Sequence, residues 1–320
     1  MNISHPRLNH TRSGRRQASR APALKDLSGR AAFKSGVLVS CALAGAAICL
    51  SSSSVAQSAR PHTAGMSRID VQKLVHNMAW NQLSALRRLA RHYQYTQLET
   101  KPEGSETTLE IETSQGVVGR LIEVNGAPPA EKRCRRERSR LARLARSSRA
   151  RQSAFEQQQA DLRRREALFE VLPKAFRYRF DGIEKNTGWI RLKYAPNPAF
   201  TPRSTVGGIL QGLEGTLWVD PATQRLAKID GHLVKAVTIG WGILAKLNPG
   251  GHFVMEQSKL PDGTWQLTML DVDFHGTMLL LKRLNIHMKD SLGSYKEVEY
   301  HLTVPQAIVM LDRTPVHCSK

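Results

Sequence analysis

Two hydrophobic periods alternate along the chain. Residues 69–92 place Val71, Leu74, Val75, Met78, Ala79, Leu83, Leu86 and Leu89 at spacings of three and four, which predicts one amphipathic helix. Asp70 stands where such a helix takes its N-cap. The period then falls to two. YQYTQLET, TTLEIETS and VVGRLIEVNG alternate polar and apolar residues and are separated by PEGSE and QG, so they read as strands of a meander. From Pro129 to Pro173 there is neither glycine nor proline, and the composition is helical. One continuous rod of this length would run ~65 Å at ~1.5 Å per residue; a fold-back at Ser147 and Ser148 would make a hairpin instead. The apolar stripe here is thin (Leu141, Leu144, Phe155, Leu162, Phe169, Leu172), so the C-terminal end docks and the N-terminal half is mostly solvated.

After Pro173 the alternation returns and holds almost to the end. FRYRFDGIEK, TGWIRLKYAP, GTLWVD, QRLAKIDG, KAVTIGWGI, HFVMEQSKL, TWQLTMLDVDFHG and MLLLKRLNIHMKD are candidate strands. DPATQ, NPGG and PDG supply turns between them, and TVGGILQGLEG reads as a helical turn. These elements predict an α+β architecture: a large antiparallel sheet, one N-terminal helix and one long helical insertion over 129–173. A sheet of that size must curl to protect its edges and cover a face.

Charge changes the picture at two places. The chain has 47 Lys/Arg against 27 Asp/Glu, a formal net charge of +20. Residues 1–34 are basic, with Arg7, Arg12, Arg15, Arg16, Arg20, Lys25, Arg30 and Lys34 against Asp26. The uncharged run GVLVSCALAGAAICL follows, then the small residues SSSSVAQSA. That order is a positive n-region, an apolar h-region shorter than a membrane span, and a cleavage region. Cleavage after Ala56 or after Ser58 both place small residues at the required positions. Residues 1–59 are therefore expected to be a secretory signal, or an uncleaved anchor if Ser51–Ala59 extends the span, with 60–320 as a single exported domain in the periplasm or on the periplasmic face of the envelope. The second charge block is EKRCRRERSRLARLARSSRARQ at 131–152. A basic helix attracts phosphate of nucleic acid or of lipid headgroups alike. No zinc finger, RNA-binding motif or recognition-helix pair accompanies it. Export removes nucleic acid from the expected partners. Arg135, Arg136, Arg138, Arg140 and Arg143 are left as candidates for facing an anionic membrane surface or an envelope protein partner.

Catalytic signatures are missing: there is no GxSxG, P-loop, HExxH or CxxC. LDVDFHG puts Asp271, Asp273 and His275 on one face of a strand, a set that could hold a metal or run acid–base chemistry. The solvent face of an ordinary amphipathic strand carries the same pattern, and that is the preferred reading; a hydrolase using these three residues is the third functional alternative. The remaining histidines show no ligand spacing along the sequence. Gly240–Trp241–Gly242 marks either a close approach or a bulge. Of the four cysteines, Cys41 and Cys49 lie in the signal region; Cys134 and Cys318 are expected to be unpaired thiols. No cofactor or metal is expected.

The segments YAPNPAFTP, LEGTLWVDPATQRLAKIDG, VTIGWGILAKLNPGGHFVMEQ and WQLTMLDVDFHGTMLLLK resemble uncharacterised envelope proteins related to the outer-membrane lipoprotein-sorting, LolA/LolB-like superfamily. The resemblance covers roughly residues 66–315. It implies a half-barrel curled around an apolar cavity with helices as a lid, holding acyl chains or lipoproteins without enzymatic residues. The long basic insertion departs from the compact carriers. On this reading Phe180, Trp189, Trp218 and Trp241 line the cavity, and lipid or lipoprotein acyl chains are the expected ligand. The alternative is a ligand-free interaction or sensor module whose interior is filled by its own side chains.

Overall fold

The computed structural model describes residues 70–87, 91–239, 245–278 and 282–319; the basic N-terminal region, the segment read above as a secretory signal, and residues 240–242 lie outside them. In chain order the elements are α1 (Val71–Arg87), β1 (His92–Lys101), β2 (Gly104–Thr113), β3 (Gly116–Val124), α2 (Glu131–Arg146), α3 (Ser148–Ala175), β4 (Phe176–Ile183), β5 (Ile190–Pro196), α4 (Thr205–Leu210), β6 (Leu213–Val219), β7 (Leu226–Leu233), β8 (Val237–Ile239), β9 (Ala245–Leu247), β10 (His252–Lys259), β11 (Trp265–Met278), β12 (Lys282–Val298) and α5 (Val304–Arg313).

All twelve strands form one antiparallel sheet in the order β3-β2-β1-β12-β11-β10-β7-β6-β5-β4, with β9 pairing β11 beyond the end of β10 and β8 pairing β9. The path ends at β3 and β4, so the sheet is open, as in a half-barrel. Two meanders meet where β1 pairs β12. Between them, α2 and α3 carry the chain from one edge of the sheet to the other. The long insertion is thus two helices, broken at Ser147, whose extended backbone ends α2 while its hydroxyl accepts the Ala150 N–H to cap α3. Two elements depart from the periodic reading. β12 runs on to Val298, and α5 follows it, opened by a capping box in which Thr303 and Gln306 exchange hydrogen bonds.

The main core lies on one face. Leu74, Val75, Met78, Leu83 and Leu86 of α1 and Phe169 and Leu172 of α3 pack on Leu192, Leu217, Val219, Leu226, Ile229, Met255, Leu270 and Val272 of the strands. Polar contacts fix α1 in place. Asn81 Nδ2 donates to the carbonyls of Thr223 (3.1 Å) and Gln224 (3.3 Å) in the β6–β7 turn, and the buried Gln82 donates to Gln257 at 3.3 Å. Across β5, β6, β7 and β10 the paired residues Tyr194, Gly215, Gly231 and Phe253 make one row. A Cβ at Gly231 would sit 2.1 Å from the Tyr194 hydroxyl. Gly231 therefore leaves the space that the Tyr194 and Phe253 rings fill, and Gly215 leaves room for the neighbouring backbone at Asp230 and Gly231. A second core lies on the opposite face near the other edge, where Leu109, Ile111 and Val118 meet Leu141 of α2 and Val304, Ala307, Ile308 and Leu311 of α5.

The edge strand β3 has no strand partner on its outer side, and such an edge exposes unpaired backbone groups. Side chains of α2 and α3 meet those groups. Gln158 accepts from the Val117 N–H (2.9 Å) and donates to its carbonyl (3.0 Å). Arg140 donates to the Gly119 carbonyl, and Glu137 accepts from the Leu121 N–H (3.1 Å). Arg133 pairs with Glu106 one strand further in. Replacing Arg140 and Gln158 together by Ala should reopen this edge. The expected result is a stability loss of about 1–3 kcal/mol per orphaned group and concentration-dependent association in light scattering, with wild type monodisperse at the same concentration.

On the main-core side of β2, the half-buried Glu112 accepts the Tyr93 N–H at 3.0 Å. Desolvation pushes its carboxyl up to about 7, against the opposing pull of that hydrogen bond and of Arg165. A carboxyl raised on folding stays protonated in the native state while the unfolded chain ionises. Its contribution is therefore fully present below the unfolded value and lost as pH rises through about 7. Glu112→Gln should match wild type near pH 4 and exceed it by about 2 kcal/mol at pH 8, read from denaturant titrations at both pH values.

Candidate functional site

The two groups of residues singled out from the sequence lie on different parts of the sheet. α2 docks on the edge through Cys134, Glu137, Leu141 and Leu144, at spacings of three and four. The opposite face of the same helix therefore carries Lys132, Arg136, Arg143 and Arg146, all exposed, and Arg149 continues the series at the start of α3. None of these five has an ion-pair partner among the described residues. From Lys132 to Arg146 the stripe is about 20 Å long at ~1.5 Å per residue. Of the five arginines expected on a headgroup- or partner-facing surface, Arg136 and Arg143 belong to it. Arg135 and Arg138 flank it and both reach Glu131, at 3.5 and 2.9 Å. Arg140 does not belong: it points the other way, onto Gly119 and Glu137, because the helical repeat turns it toward the sheet edge. Lys132, Arg146 and Arg149 were missed. Their signal was present in the helical spacing from Arg136, once the docking face is known.

Cys134 and Cys318 form a disulfide, with 6.4 Å between their Cα atoms. This corrects the expectation of two free thiols. The chain end returns to the start of α2, where Ala130 bridges Ser319 and the Ser319 N–H donates to the Pro129 carbonyl at 3.0 Å. The basic helix is thereby tied covalently at its N-terminal turn.

The expected cavity residues are not gathered in one place. Phe180 packs against the main core from β4. Trp218 stands on the other face of the sheet, 5.4 Å from the Lys228 ammonium and donating to Glu184 at 3.4 Å. Trp189 lies 6.4 Å from the buried Trp265. Trp189 and Trp218 share a shallow cleft of about 250 Å³ with Glu184, Lys228 and Glu256. Trp241 is outside the described residues. A second cleft, about 450 Å³, opens on the outer face and is lined by Arg177, Arg179, Lys193, Glu214 and His232. Arg179 stands directly opposite Lys193 there. Both clefts carry charged side chains in their walls, and neither lies between α1 and the sheet. The space under α1 is occupied by Met78, Leu192, Leu217, Leu226 and Met255, all essentially inaccessible to solvent.

A cation is buried near the same helix. Arg225, in the turn that α1 grips through Asn81, is 5% exposed, and its Nε and Nη2 have no hydrogen-bond acceptor. Desolvation lowers its guanidinium to about 10. Nothing in the local pattern of QRLAKIDG distinguishes this arginine from a solvent-facing one, so it was not singled out. Asp271, Asp273 and His275 do share the outer face of β11, as alternation requires; Asp271 sits 3.9 Å from Lys289, and Asp273 lies within 3.5 Å of both His275 and His287.

No protein-family model matches the chain, and no curated protein matches it. Among solved structures, a DUF1329 family protein from Desulfovibrio piger is similar at 12% identity, over 70% of this chain and 92% of that one, with a TM-score of 0.25. At that distance the likeness carries no argument about function. Among the described residues no helix is long and apolar enough to cross a membrane.

The disulfide closes a span of 184 residues, and cross-links over long spans restrict the unfolded chain most. Reduction, or Cys134→Ser, should lower stability by up to about 5 kcal/mol while leaving the far-ultraviolet dichroism unchanged, measured by denaturant unfolding with and without reductant.

Proposed function

We propose that the protein is an exported, non-enzymatic binding protein of the bacterial cell envelope that works against an anionic lipid surface through α2. The observation that carries this reading is the unpaired stripe of Lys132, Arg136, Arg143 and Arg146, presented on a helix whose other face is docked and whose first turn is disulfide-bonded. Solvated cations near an anionic bilayer contribute ~1 kcal/mol each, and a rigid helix aligns them without further ordering. The resemblance to lipoprotein-sorting proteins supplies the second half of the proposal: the ligand is a lipid or lipoprotein acyl chain, held between α1 and the sheet. The filled space under α1 means that such a chain enters only if α1 moves off. The buried Arg225, in the turn that α1 grips, would then offer its unpaired donors to the ligand's anionic head.

The same filling favours a second reading, an interaction or sensor module with no internal ligand. Both readings use α2; they differ in what the interior does.

Two measurements test them. Arg136→Glu, Arg143→Glu and Arg146→Glu combined should weaken cosedimentation with vesicles of 30% phosphatidylglycerol at least tenfold, with binding to neutral vesicles absent in both forms. Equal binding by wild type and variant removes the headgroup role. Protein made without detergent and extracted with organic solvent should yield a stoichiometric acyl lipid by mass spectrometry; an empty, folded protein leaves the ligand-free module.

A further inference from the structure

The outer face of the sheet carries a row that is invisible in the linear sequence. Register places Glu214 of β6 beside His232 of β7, His232 beside His252 of β10, His252 beside Asp273 of β11, and Asp273 beside His287 of β12. Five consecutive strands thus contribute one carboxylate, two imidazoles, one carboxylate and one imidazole, side by side on one face. His275 joins them two residues along β11. Four of the chain's eleven histidines fall in this patch, although they are separated by as many as 55 positions in the sequence (232 to 287).

Asp273 is its centre. Its Oδ1 is 3.1 Å from His275 Nε2 and its Oδ2 is 3.4 Å from His287 Nδ1. Oδ1 is shut off from solvent, yet it accepts no hydrogen bond. The His275 nitrogen is therefore close to Oδ1 without being aligned on it. A carboxylate oxygen left in that state is costly. Donors around a tetrahedral zinc ion sit at ~2.0–2.2 Å from the metal, which separates nitrogen from oxygen by about 3.3 Å. Both contacts have that separation, although the three side chains do not yet bring one donor atom each within 4.8 Å of one another; a ring that turns toward a common third point need not be aligned on the carboxylate.

We infer that Asp273, His275 and His287 form a binding site for a divalent transition-metal ion of the zinc class, with His252 across from Asp273 on β10 as the neighbouring fourth donor. Imidazole nitrogen with carboxylate oxygen is the donor set that suits this class, rather than calcium or magnesium. The two imidazoles reach different oxygens of one carboxylate, so one ring turns to close on a single ion. Their side chains are 61% and 47% exposed, which leaves them free to turn and leaves the ion open to solvent on one side. The neighbouring Glu214–His232 pair, at 3.2 Å, lies at the far end of the row and is not part of the site. The site is separate from α2 and from the space under α1, so it stands independently of the lipid-binding proposal.

The test is calorimetric titration of the untagged, full exported chain with zinc chloride. Reductant is left out: reduction would free two thiols within 4.8 Å of the Glu131 carboxylate, and that group would itself take the ion. Wild type is expected to bind one zinc ion per chain. His275→Gln with His287→Gln should weaken binding at least tenfold, Asp273→Asn should do the same, and His301→Gln, outside the patch, should leave it unchanged. The histidine variants replace exposed or half-exposed side chains, Asp273→Asn keeps the shape of the side chain it replaces, and circular dichroism checks that all of them fold. Zinc-induced shifts in the imidazole resonances of wild type should be confined to His252, His275 and His287. Failure of wild type to bind zinc, or undiminished binding by the double histidine variant, overturns the assignment.

Discussion

An open sheet has two edges, and each edge strand carries backbone donors and acceptors that must find partners. At β3 the partners are side chains. Gln158, Arg140 and Glu137 together answer one N–H and one carbonyl of Val117, the carbonyl of Gly119 and the N–H of Leu121. This requirement explains why the helical insertion takes the path it does. A helix that must lay a glutamate and an arginine along one strand, with a glutamine added from the next helix, runs beside that strand. The same helix has to leave room for Leu141 in the second core. Its remaining face is then committed to solvent, and that face is where the unpaired cations gather.

The two cores divide the labour. The larger one, under α1 and the end of α3, holds the second meander and takes in the row from Tyr194 to Phe253. The smaller one, between α2, α5 and the first meander, has no role in covering an interior space; it anchors the basic helix. Any ligand chemistry that depends on α1 moving away would leave the second core untouched. A partner that grips α2 would in the same way leave α1 in place.

Local periodicity made most of the fold legible. The α1 face, the first meander and most strands after Pro173 follow from residues a few positions apart. α5 was missed because the last strand was ended at Asp290 and no element was assigned after it, although Thr303 and Gln306 with Pro305 between them spell a helix start. What sequence could not show is long-range. The edge contacts join residues 16 to 41 positions apart. The disulfide joins residues 184 apart. Arg140 and Arg136 look alike in a charge run, and only the position of the sheet edge separates a structural arginine from an exposed one. The histidine row depends on the register of five strands at once. Trp189 and Trp218 read as lining one interior because alternation gives faces but not which face is the inside.

The Cys134–Cys318 bond makes most of the domain a closed covalent ring. β4 to β12, α3 and α5 all lie within it; among the described elements, α1, the first three strands and the first residues of α2 hang outside. A single protease cut anywhere in a loop of the ring leaves both pieces attached to each other. The β6–β7 turn and the exposed end of β12 are then no more vulnerable than the ends of the chain, and a nicked molecule keeps its two halves within reach for rejoining. That is a second kind of durability, separate from the free energy of folding.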